Sequence, residues 1–244
     1  MTKNIITIIP ARMASTRLPN KPLAMIKGKT MIQRVYEQAL KANIGEVYIA
    51  CDGDEIAQEI KKFAGNFVIT DPALPSGTDR IFQACQKLNL NAEFIVNLQG
   101  DLPLIDPAII STCAQLAINS DCDIATVASV INNIAEVNNP NVVKIAVNSR
   151  SEALYFSRCP IPYSKDCAQQ YLHHIGIYTY RRKALEKFVN LSPSMLEKRE
   201  SLEQLRALEN NMKIAVKIVD SHPVSVDTYE DLTRAISLVN EYEN

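Results

Sequence analysis

Short apolar runs alternate along the first half of the chain with segments whose apolar residues recur every three or four positions. Residues 7–9, 46–51, 67–70, 93–98 and 124–130 read as strands, the first closed by Pro10, which has no N–H for a sheet ladder. Residues 31–42, 54–64, 79–88 and 107 to about 119 read as helices. Met31, Val35 and Ala39 share one side of the first, Ile56, Ile60 and Phe63 point inward on the second, Thr78 is the expected N-cap of the third, and Pro107 opens the fourth. Strand and helix taking turns implies a parallel sheet with helices on both faces.

From about residue 142 the rhythm changes. Residues 142–147 and 153–156 suggest a hairpin and 175–180 a further strand. Residues 196–210 suggest one charged amphipathic helix, 213–219 a strand, and 229–242 a closing helix with Glu230 and Asp231 in its first turn. No repeat or Gly/Ser linker interrupts the 244 residues, so a single domain, 1–244, is expected, with about 142–205 elaborating it.

Composition narrows the class. Hydrophobic residues make up 47% and charged residues 22%, ordinary for a globular protein, and a net charge of -1 argues against a general nucleic-acid or membrane-surface binder. Six cysteines without CxxC spacing point to neither a zinc cluster nor a redox pair, and most are expected in the core. The N-terminus opens directly into the first strand, so neither signal peptide nor membrane anchor is expected, and the expected location is the cytoplasm.

The candidate chemistry begins after the first strand, where Arg12, Arg17 and Lys21 fall within ten residues on a segment stiffened by Pro10, Pro19 and Pro22. Ligands of open α/β sheets bind outside the carboxyl ends of the strands, so cations there suit a polyphosphate; a solvated basic loop is the bland alternative. Neither a Walker A loop nor a GxGxxG run is present. Asp101, in the NLQGDLP segment, offers a hard carboxylate oxygen at the end of another strand, as Mg²⁺ requires, although an Asp before Leu-Pro is also a common turn former. SGTDR, at 76–80, can cap a helix or hold part of a nucleotide.

Taken together, PARMASTRLPNKPL, SGTDR, NLQGDLPLI, NPNVVK, ALYFSR, HIGIYTYR, LEQLR and VDTYEDL resemble the 3-deoxy-manno-octulosonate (Kdo) cytidylyltransferases along almost the whole chain. The resemblance implies a three-layer α/β/α nucleotidyltransferase fold with a mostly parallel, Rossmann-like mixed sheet. It also implies a reaction in which the anomeric 2-hydroxyl of Kdo attacks the α-phosphate of CTP, giving CMP-Kdo and pyrophosphate for lipopolysaccharide assembly. Arg12, Arg17 and Lys21 would hold the triphosphate; Ser76, Gly77, Thr78 and Arg80 would contact the nucleotide; Gln99 would lie between nucleotide and sugar. Asp101 and Asp227 would bind Mg²⁺, although Asp227 on its own reads equally as a cap of the last helix. Arg158, His174, Tyr178, Glu203 and Gln204 would surround Kdo; without the family, His174 and Tyr178 read as partly buried structural polar groups, and Glu203 and Gln204 equally as solvated helix positions. A homodimer is implied too.

The chain departs from the family pattern at Leu102, where a Glu is usual, at Ser225 for a glycine, and at His173 for an arginine. Activation of another 2-keto sugar acid, 8-amino-Kdo or a sialic acid, is the neighbouring reading. A silent nucleotide-binding module is the distant one.

Overall fold

The computed structural model describes residues 4–15, 17–165, 170–221 and 223–242. Cys167, counted among the expected core cysteines, lies outside them. The chain divides into two compact units, Met1–Ser111 with Pro223–Asn244, and Thr112–His222.

The first unit is built on four parallel strands in the order β6-β1-β4-β5: β1 is Ile5–Ala11, β4 Glu46–Cys51, β5 Phe67–Ile69 and β6 Phe94–Leu98. A small antiparallel ribbon, β2 (Met25–Ile26) and β3 (Lys29–Thr30), precedes helix α1, Met31–Lys41. Helices α2 (Asp54–Lys62) and α3 (Gly77–Lys87) make the next two crossovers, and α1 and α3 pack on β1. Ile6, Ile8 and Ile9 are buried because a parallel strand has helices over both faces.

Two local expectations need correction here. Pro10 does not close β1, which continues through Ala11; Pro10 is paired in register with Ala50 of β4, while the ladder to β6 has already stopped at Ile8, so the missing N–H costs nothing on that side. The N-cap of α3 is Ser76 rather than Thr78: its hydroxyl accepts the Asp79 N–H, and Thr78 is buried inside the first turn.

In the second unit, β7 (Ile124–Val130) lies between β10 (Leu172–Arg181), antiparallel to it, and β11 (Ile214–Val219), parallel to it. The expected hairpin is present as β8 (Lys144–Val147) and β9 (Ala153–Ser157). Helix α4 is Pro107–Asn119, and a single turn, α5, spans Ile134–Val137. Helix α6, Arg182–Val189, was not anticipated. Residues 196–210 form two helices instead of one, α7 (Met195–Glu200) and α8 (Gln204–Glu209), because Ser201 takes a left-handed conformation, φ 54°, that stops the first. Arg206 of α8 then pairs with Glu197 of α7, its Nε 2.8 Å from Oε2.

Four of the described cysteines, Cys51, Cys85, Cys113 and Cys122, are buried as expected, whereas Cys159 is exposed. Among the described residues no helix is long and apolar enough to cross a membrane.

Lys144 ties the hairpin together. It is fully buried, and its ammonium donates to the carbonyls of Asn139 (2.9 Å), Val142 (2.6 Å) and Arg158 (2.6 Å). Burial lowers its pKa, so the charge is held by carbonyl dipoles at a cost in desolvation. Lys144→Met should leave these carbonyls without their donor and destabilise the protein by at least about 3 kcal/mol in equilibrium denaturation; an unchanged midpoint would show that the carbonyls find other partners.

Candidate active site

Three loops meet at the carboxyl end of β1, and the contact that joins them is steric. A Cβ on Gly100, just after β6, would stand 3.0 Å from the Pro10 carbonyl oxygen, and one on Gly77, opening α3, would stand 3.3 Å from the Pro10 ring. A side chain at either position would press on Pro10, so glycine eases both approaches. The PARMASTRLPNKPL, SGTDR and NLQGDLP segments are thereby brought together. The first is also pinned from β4: the Met13 N–H lies 3.2 Å from each carboxylate oxygen of Asp52.

The last sequence segment joins them through its backbone. Val226 is fully buried with Leu18, Ile26, Met31, Ala235 and Val239, and its N–H donates to the Asp101 carbonyl at 2.9 Å. Next to it, the Asp231 carboxylate accepts the N–H groups of Asp227 (3.0 Å) and Thr228 (2.9 Å), while the Thr228 hydroxyl accepts the Asp231 N–H. Thr228, not Asp227, therefore caps the terminal helix, Tyr229–Tyr242, which settles the alternative reading of Asp227. Its side chain is left to face the basic loop.

Lys21 lies between the two carboxylates, its ammonium 2.8 Å from Asp101 Oδ2 and 2.8 Å from Asp227 Oδ1. Arg17 reaches Asp227 Oδ2 at 3.1 Å. Burial by itself would lower the Lys21 pKa, but the two carboxylates outweigh it and the net shift is upward, so Lys21 is charged at neutral pH. Hard oxygens from two distant parts of the chain thus already converge on one cation, a donor set that suits Mg²⁺. Among the described residues no group of three or more His, Cys, Asp and Glu could hold a metal. A metal at this pair would need further ligands from phosphates or water.

The remaining nucleotide candidates differ in exposure and partners. Arg12 is exposed on the loop. Arg80 is buried, 2% exposed, and donates to the Thr70 hydroxyl; burial lowers its pKa, nearby Asp52 opposes the shift, and Arg12 adds to it. Gln99 donates its amide to the buried Asn97 side chain at 3.1 Å. Leu102 is buried, so the departure from the family's Glu puts an apolar side chain into packing.

The sugar candidates lie in the second unit. A bulge in β10 between Ile175 and Tyr178 interrupts its register with β7. His174 is buried, its ring 5.3 Å from that of Tyr178 and edge-on to Phe156 at 4.9 Å. The Thr126 hydroxyl has its shortest contact to the Ile177 carbonyl, 2.7 Å, which takes its single proton; His174 Nε2, 3.1 Å away, is then the donor to Thr126, leaving Nδ1 as an acceptor. Burial, with His173 adding to it, lowers the His174 pKa to about 3, and burial raises the Tyr178 phenol well above its ordinary value. Both rings are neutral at physiological pH.

Gln204 is buried and Glu203 is half-buried at the start of α8, so the solvated-face alternative fails for Gln204. Arg158 donates to the carbonyls of Glu200 (2.8 Å), Pro140 (2.9 Å) and Ser201 (3.3 Å). Glu200 in turn accepts the Arg158 N–H and the Ser157 hydroxyl. Asp52, Asn97, Thr126 and Glu200 carried no distinguishing signal in the sequence: Asp52 and Asn97 lie at or near strand ends, Thr126 lies within β7, and Glu200 ends α7.

Comparison with known proteins gives the family and the fold. A family model described as cytidylyltransferase matches residues 6–214. The 3-deoxy-manno-octulosonate cytidylyltransferase of Rhodospirillum rubrum is 48% identical over 242 residues, covering 96% of this chain and 95% of that protein. The Brucella anthropi protein of the same name is 49% identical over 245 residues, covering 98% and 97%. A solved CMP:2-keto-3-deoxy-manno-octonic acid synthetase, complexed with CTP, superposes with a TM-score of 0.93 at 40% identity, covering 98% of this chain and 100% of that one. A putative glucose-1-phosphate thymidylyltransferase from Bacillus anthracis, with a TM-score of 0.69 at 16% identity and coverage of 97% and 96%, shares the fold alone. With motifs, topology and full-length relatives in agreement, the chain belongs to the 3-deoxy-manno-octulosonate cytidylyltransferase family.

Proposed function

We propose that this protein transfers the cytidylyl group of CTP to the anomeric 2-hydroxyl of Kdo, releasing pyrophosphate, with Mg²⁺ as its metal. The observation that carries this reading is the convergence of Asp101, Asp227, Lys21 and Arg17 at one point. Transfer of this kind asks a protein for positioning and charge neutralisation rather than for a nucleophile of its own. Arg12, Arg17 and Lys21 neutralise the triphosphate, while Ser76, Gly77, Thr78, Arg80 and Gln99 hold the nucleoside end. Asp101 and Asp227 hold Mg²⁺, which when bound supplies Lewis-acid neutralisation of phosphate oxygens and lowers the pKa of the attacking hydroxyl.

The proposal extends to the sugar side. His174 Nδ1 accepts from a sugar hydroxyl, the protonated Tyr178 phenol donates, Glu203 and Gln204 complete the polar set, and Arg158 meets the sugar carboxylate after exchanging a carbonyl partner. The same reading includes a homodimer working in the cytoplasm and supplying CMP-Kdo to lipopolysaccharide assembly.

Asp101→Asn and Asp227→Asn should each reduce pyrophosphate release from CTP and Kdo by roughly a hundredfold or more, since each removes a charged group from the reacting centre. Wild-type rates in either variant would contradict the assignment. His174 supplies a pH test. Its folded pKa lies below its ordinary 6.5, so the unfolded chain takes the proton first: the stabilisation is complete above pH 6.5 and is lost as pH falls toward about 3. Across that window wild type should lose up to about 1.4 kcal/mol per pH unit more than His174→Gln in denaturant titrations; parallel losses would show that His174 is not held neutral.

A further inference from the structure

Lys21 and Arg17 between them occupy three of the four carboxylate oxygens of Asp101 and Asp227. The Lys21 ammonium alone takes one oxygen from each carboxylate, so oxygens of both residues that would hold a divalent ion are already engaged. Two carboxylates and two cations also leave the cluster with no net charge to attract a second cation.

The backbone beneath Lys21 is stiff. Asn20 is held in a left-handed conformation, φ 55°, the Leu23 N–H closes a tight turn onto the Asn20 carbonyl at 2.8 Å, and Pro22 follows.

We propose that Lys21 is an internal cation that holds the Asp101–Asp227 pair until a polyphosphate draws it away, so that the protein admits a divalent ion together with its nucleotide and only weakly without it. The inference rests on the metal-dependent nucleotide reading above and adds an order to it. Without nucleotide, a divalent ion must displace an ammonium whose acceptors among the described residues are these two carboxylates. With nucleotide, the released ammonium gains phosphate oxygens, and the coupling is reciprocal: nucleotide favours metal by the factor by which metal favours nucleotide.

The test is Mn²⁺ binding, read as free Mn²⁺ by electron paramagnetic resonance, in the presence and absence of CTP, with CTP alone as the control. Lys21→Met should bind Mn²⁺ without nucleotide at least tenfold more tightly than wild type. Lys21→Gln should shift in the same direction, and Lys21→Arg, which keeps the charge, should remain weak. The ratio of Mn²⁺ affinities with and without CTP should fall in the two neutral variants. Neutral variants that bind Mn²⁺ no more tightly than wild type, while wild type takes it up with CTP, would overturn the exchange and leave the metal-dependent reading standing. Failure of every form to take up Mn²⁺, with or without CTP, would overturn both.

Discussion

The paired ion contact of Lys21 with Asp101 and Asp227 is the constraint on which the nucleotide end of the molecule depends, because it closes a loop between residues 206 positions apart in the chain. Charge attraction alone would not select Asp227 from the 27 acidic residues. The selection is made by packing: Val226 is buried against Leu18, Ile26 and Met31, and its N–H is fixed to the Asp101 carbonyl, so the next side chain emerges beside Lys21. Thr228 and Asp231 satisfy the start of the terminal helix between themselves, and the Asp227 carboxylate is left for cations. Buried apolar area thus sets an electrostatic site, bringing the Asp227 carboxylate to the cations of the basic loop.

The second constraint is the approach of two glycines to Pro10. In a parallel sheet the loops that follow the strands gather at one edge, but how closely they gather depends on side-chain volume. Gly77 and Gly100 let α3 and the end of β6 come within van der Waals distance of the β1 terminus, while Asp52 anchors the basic loop from β4. Four successive chain segments are therefore held near the carboxyl end of β1 without a Walker A loop. The sugar-side candidates follow a different principle: they are neutral and enclosed, with His174 oriented by the Thr126 hydroxyl and Arg158 held by carbonyls around Glu200.

Much of this was legible in the sequence where the signal is local. Glu46–Cys51, Pro107–Asn119, Ile124–Val130 and Tyr229–Tyr242 fall where apolar spacing and capping residues place them. The errors arose where a neighbour in space decides. Pro10 stays within β1 because the β6 ladder has already ended; Ser76 takes the cap from Thr78 because Thr78 is needed in the core; an unbroken amphipathic pattern across 196–210 conceals the turn at Ser201. In the site, the basic loop and Asp101 announced themselves through strand ends and charge. Asp227 needed the family resemblance, since nothing in its spacing refers to Asp101. Lys144 could not be recognised as a buried anchor because its three partners are carbonyls, and carbonyls carry no residue identity.

The most direct test of the account is pyrophosphate release from CTP and Mg²⁺ with Kdo, 8-amino-Kdo and N-acetylneuraminate supplied separately. The account predicts release with Kdo fastest and dependent on added sugar acid. Preference for another acid would contradict the assignment of the pocket around His174 and Tyr178, and CTP binding without release from any of the three would contradict the enzymatic reading itself.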